Sequence, residues 1–91
     1  MIVLVLERVP VSLRGELTRW LLEPKAGVFV GSVSAMVRDK LWERACKHAR
    51  DGAGLLVYPA DTEQGFAMRT CGKTRRTVVD FEGLQLIRIP D

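Results

Sequence analysis

The sequence predicts an α+β sandwich, two helices lying on one face of an antiparallel sheet, and three observations carry that expectation. Apolar runs of strand length, clearest at Ile2–Leu6 and Leu55–Tyr58, stand well apart along the chain. Two stretches between them space their apolar residues as helices do. The chain has 91 residues, 47% hydrophobic and 27% charged, which suits one small globular domain (1–91) and is too apolar for a disordered tail. A chain this short buries only about 60–65% of its unfolded surface, which excludes a multidomain enzyme, a receptor or a repeat array.

Each element has its own justification. Ile2–Leu6 is a continuous apolar run rich in β-branched residues and reads as a buried central strand. Val9-Pro10 marks a turn, and Ser12 is the expected N-cap of a first helix with Glu16 in the turns behind it. Leu13, Leu17, Trp20 and Leu21 form its apolar stripe, Gly15 weakens it, and Pro24 is expected to end it. Val28-Phe29-Val30 is the clearest part of a short β segment, with Lys25-Ala26-Gly27 its hairpin turn.

Ser34 opens a second helix running to about Ala49. Val37, Leu41, Ala45 and Ala49 are its buried stripe, and Arg38, Asp39, Glu43, Arg44 and Lys47 its solvated face. Asp51-Gly52 breaks it. Leu55–Tyr58 is then a strand stopped by Pro59, Asp61–Gly65 a turn, and Phe66–Thr70 a strand of alternating residues. Gly72–Thr77 reads as a basic loop, and Leu84, Leu86 and Ile89 mark one last strand. The order β-α-β(β)-α-β-β fits a ferredoxin-like sandwich. Strands this apolar need cover on the face away from the helices, so a homodimer is expected.

Composition narrows the function. The net charge is +3, and ten of the fourteen cations are Arg, whose planar fork suits phosphate. Two cysteines, Cys46 and Cys71, make no disulfide framework, and their placement on a helix and a strand reads as two reduced, unrelated thiols. With the single His48 they are too few for a structural zinc site built from Cys and His. His48 reads as a surface or half-buried helix residue. The apolar start stops at Glu7, short of a signal-peptide core, and nothing approaches the ~18 apolar residues of a membrane span. A soluble, cytoplasmic domain is expected.

Nucleophile motifs and a phosphate-binding glycine loop are both missing from the sequence. Glu7 ends the first strand, where its side chain projects at the sheet's end. One carboxylate holds Mg²⁺ poorly, but two copies facing each other across a dimer axis could hold one. The plain alternative is a solvated acid at a strand end. Arg14, Arg19, Lys73, Arg75 and Arg76 make a basic set, read either as phosphate contacts or as solvated charge. Trp20 and Trp42 are expected in the core.

Several stretches together resemble one family. They are Val9-Pro10 with Leu13-Arg14-Gly15, Trp20-Leu21-Leu22-Glu23, Ala26-Gly27-Val28-Phe29-Val30-Gly31, Val33-Ser34-Ala35, Glu63-x-Gly65-Phe66, Arg75-Arg76-Thr77 with Val79-Asp80, and Gly83-Leu84. The chain is similar, almost end to end, to the CRISPR-associated protein Cas two of the type I-E system. The resemblance implies a ferredoxin-like homodimer sitting between dimers of the integrase Cas one, in an assembly that captures fragments of invading DNA as new spacers. It implies a scaffold that holds the duplex on a basic surface. Arg14, Arg75 and Arg76 match the family's phosphate-contacting positions, while a cation expected two residues before Arg14 is Ser12 here. The segment from about Leu84 to Asp91, with Leu84, Leu86, Ile87 and Ile89, matches the part that docks on the integrase. Glu7 matches an acidic position, Asp in members described as Mg²⁺-dependent endonucleases. The added methylene argues against nuclease activity, and the scaffold role requires no cofactor.

Overall fold

The computed structural model describes residues 1–48, 52–72 and 77–89. Ala49 and Asp51, read above as the end and break of the second helix, lie outside the described residues. Seven strands and two helices follow in the order β1 (Ile2–Leu6), α1 (Val11–Leu17), β2 (Leu22–Lys25), β3 (Val28–Gly31), α2 (Ala35–His48), β4 (Gly54–Pro59), β5 (Phe66–Cys71), β6 (Thr77–Phe81) and β7 (Leu84–Arg88). The first five strands form one sheet in the order β2-β3-β1-β4-β5, every neighbouring pair antiparallel. Without β5, that is the ferredoxin-like arrangement, and β5 is added beyond β4.

Strand alternation divides the sheet into two unlike faces. Leu4 stands opposite Phe29 on one side and Leu56 on the other, and this row across three strands is closed from solvent. Leu13 and Leu17 of α1, Leu21, and Leu41 and Ala45 of α2 complete the core on that face. The opposite face carries Val3, Val5, Val28, Val30, Leu55 and Val57 in continuous register, all half-buried. The central strand is therefore buried on one side only, although its residues are apolar on both.

The first helix departs from expectation at both ends. Pro10 precedes it in extended backbone (φ −58°, ψ 151°), its carbonyl accepts the Arg14 N–H at 3.0 Å, and no side chain caps it. Ser12 is inside the helix, not its cap. The helix stops at Leu17, where the Thr18 hydroxyl bonds back to the Arg14 carbonyl at 2.8 Å. Leu21 still reaches the core, but Trp20 turns outward and is 56% exposed, against the expectation of core packing. Pro24 ends no helix; it lies in β2, an edge strand, where a residue without an N–H is tolerated.

The second helix follows its sequence closely. The Ser34 hydroxyl accepts the Val37 N–H at 3.2 Å, Val37 and Trp42 pack on the core, and His48 is half-buried in the last turn. Arg38 departs from the solvated face: its guanidinium lies 4.3 Å from the centroid of Tyr58, whose ring also carries Arg69 at 4.8 Å. Such stacking desolvates the cations while keeping their charge compensated. Asp39 bridges the two arginines, each at 3.0 Å, and Arg38 above all holds its carboxyl below the usual range.

Two late strands replace the one expected. β6 and β7 form a separate hairpin joined by Glu82 (φ 51°) and Gly83 (φ 85°), two left-handed residues in the sense that matches strand twist. Asp80 Oδ1 accepts the Gly83 N–H at 3.0 Å and braces that turn. Gln64 and Gln85 then fasten the hairpin to the β5 side of the sheet. The Gln64 amide donates to the Gln85 carbonyl at 2.9 Å and accepts the Gln85 N–H at 2.9 Å, while Gln85 Oε1 accepts the Met68 N–H at 2.5 Å.

Candidate nucleic-acid interface and strand-end acid

Arg14 projects from the middle of α1 and is 42% exposed. Its Nε donates to both carboxylate oxygens of Glu23 in β2, at 3.0 and 3.2 Å. Glu23 Oε2 also accepts the Gly27 N–H at 3.0 Å, so one carboxylate ties the helix to the β2–β3 turn. That backbone bond first, and Arg14 second, lower the Glu23 pKa. Arg14 is thus held in a fixed pose by one edge of its guanidinium. Arg19 is exposed just beyond the helix. Lys73, Arg75 and Arg76 lie outside the described residues.

Glu7 is exposed at the bend after β1. Its N–H donates to the Ala53 carbonyl at 3.0 Å, and its Oε2 accepts the Ala53 N–H at 3.3 Å. Beside it, on the face away from the helices, is a cavity of about 330 Å³ lined also by Val5, Leu55, Thr70 and Ile87. Those neighbours supply no second carboxylate. Among the described residues no three His, Cys, Asp or Glu side chains gather as a metal would require. Mg²⁺ takes hard oxygen ligands and waters, so one chain alone does not fit the ion.

The four apolar residues of the expected docking segment are all partly open to solvent: Leu84 38%, Leu86 45%, Ile87 40% and Ile89 60%. Ile87 also lines the cavity beside Glu7, which brings the C-terminal hairpin and the strand-end acid to one place. Sequence reasoning did not find that meeting, nor Glu23 as the partner of Arg14. It also missed that Cys71 lies near enough to Cys46 to help burial raise the Cys46 pKa, contrary to the reading of unrelated thiols. Both remain free.

The chain is thus a small α+β module: a ferredoxin-like sheet with one helix-covered face, a half-buried apolar face opposite and an appended apolar hairpin. Among the described residues, no helix is long and apolar enough to cross a membrane. A model of the family described as CRISPR-associated protein (Cas_Cas2CT1978) matches residues 1–86. The chain belongs to that family and is a Cas two-like CRISPR protein.

Proposed function

We propose that the protein is a non-catalytic, DNA-binding scaffold of CRISPR spacer acquisition, of the type I-E form, acting in the cytoplasm as a homodimer that bridges dimers of the Cas one integrase. Family membership over residues 1–86 is the observation that carries this reading. Three features support it. The half-buried face of Val3, Val5, Val28, Val30, Leu55 and Val57 has the apolar character that a second copy would cover. Arg14 is held by Glu23 yet open to solvent, a pose suited to a phosphate. The part-exposed Leu84, Leu86, Ile87 and Ile89 offer the integrase an apolar ridge.

Binding of a short duplex across a salt series tests the reading, with and without the integrase. If Arg14, Arg75 and Arg76 each meet one phosphate, the six contacts of a dimer set the slope of log K against log salt at about −5. Replacing Arg75 and Arg76 with Ala removes four of those contacts and flattens the slope to about −2. A slope that the double variant leaves unchanged rejects the DNA-binding assignment.

A second reading is a Mg²⁺-dependent endonuclease with Glu7 from two copies facing each other. The exposure of Glu7 at the open face favours it, although one chain supplies only one carboxylate. The two readings diverge on Glu7→Gln. The scaffold binds DNA undiminished with that change, whereas Mg²⁺-dependent cleavage by the folded protein would disappear.

A further inference from the structure

Cys71 ends β5 directly opposite Gly54 of β4. Gly54 is buried, and its missing side chain leaves a space that other groups fill. A Cβ there would stand 3.0 Å from Cys71 Sγ, 3.0 Å from Leu6 Cδ2 and 3.5 Å from Trp42 Cζ3. Leu6 and Trp42 belong to the helix-covered face, so the Cys71 sulfur lies across Gly54 on the side where α2 packs. Cys46 is one helical turn beyond Trp42, on the same side of α2. Its thiol therefore lies on the side of α2 that faces Cys71, near enough for Cys71 to add to the burial that raises the Cys46 pKa. The Asp39–Arg69 ion pair, at 3.0 Å, joins the same two elements two turns earlier and holds their alignment.

We propose that Cys46 and Cys71 are a modification site, a dithiol that a hydroperoxide oxidises reversibly to an intrachain disulfide joining α2 to β5. We place the first step at Cys71, because burial pushes the Cys46 thiol up and disfavours its thiolate. Oxidation then begins at Cys71. Its thiolate sulfur attacks a peroxide oxygen, the O–O bond breaks, and the other oxygen leaves and takes a proton, giving a sulfenic acid. The Cys46 sulfur displaces the sulfenic oxygen, which departs as water with the Cys46 proton. Two thiols and one hydrogen peroxide thus give one disulfide and two waters. A small thiol reverses the step by exchange through a mixed disulfide. Most cytosolic thiols stay reduced, and disulfides found there are commonly transient and redox-responsive.

The bond would close a loop of 71 − 46 = 25 residues and raise the melting temperature by roughly 10 °C or more. Purified full-length protein is treated with hydrogen peroxide, quenched and denatured without reductant. The expected product migrates as a single chain, has lost two hydrogens by mass, yields a digest fragment linking Cys46 to Cys71, and returns to its starting mass with dithiothreitol. Cys46→Ser and Cys46→Ala are expected to stop at a sulfenic acid on Cys71, trapped by a dimedone reagent, with no rise in melting temperature. Chains cross-linked only to one another, or thiols that oxidise independently without joining, overturn the proposal.

Discussion

Glu23 shows how much one side chain can decide. Its carboxylate accepts a bond from Gly27 N–H at 3.0 Å and the paired contacts of Arg14 Nε, and both lower its pKa from the ordinary 4.5. A depressed carboxyl adds stability that is complete above its unfolded value and is lost as pH falls through its lower folded value. We therefore expect Glu23→Gln to reduce the urea midpoint at neutral pH and to make its decline below about pH 4.5 shallower than in the parent. Equal slopes for both proteins would remove Glu23 from the acid response. Arg14 was visible in the sequence as a candidate contact. Its partner was not, because nine residues separate them and a turn of unforeseen geometry brings them together.

Among the elements, the glycines of α1 and of the β2–β3 turn make opposite predictions. Gly15 lies in the helix with open space around it, since a Cβ there meets nothing within 4 Å. Gly15→Ala should stabilise the protein by about 0.5–1 kcal/mol in urea unfolding, through helix propensity and a less free unfolded chain. Gly27 has φ +81°, and a Cβ there would clash with the Leu6 carbonyl oxygen. Gly27→Ala should cost at least about 1–2 kcal/mol, the left-handed backbone penalty before the clash is counted. The same comparison of turns explains why β6 went unseen. Its strand residues are ordinary, but Glu82-Gly83 is not the Asn-Gly or Asp-Gly pair that announces a tight hairpin.

For the whole molecule, the open face is the feature with most consequence. Val57 is half-buried in the middle of it, so Val57→Lys places a charge there without entering the helix-covered core. In the proposed homodimer this change should shift the sedimentation coefficient to that of a monomer while the circular dichroism spectrum is kept. A folded variant of unchanged oligomeric state would mean that copies do not associate through this face. Neither the face nor the hairpin against β5 follows from any one element.

What the sequence determined alone was local: the apolar runs that became β1 and β4, the alternation of β5, the Ser34-capped stripe of α2, and from their order the ferredoxin-like class. These are legible because a repeat of two or of 3.6 residues and a capping hydroxyl act within a few positions of the chain. The early end of α1 and the outward turn of Trp20 were decided by pairing β2 with β3, which claims Leu22–Lys25 as an edge strand. Only the tertiary structure placed Tyr58 between Arg38 and Arg69, joined Gln64 to Gln85, and brought Cys46 near Cys71. Those contacts span eleven or more residues or cross between elements, and no periodic pattern encodes them. Their geometry exists only after the hydrophobic core has fixed where α2 lies on the sheet.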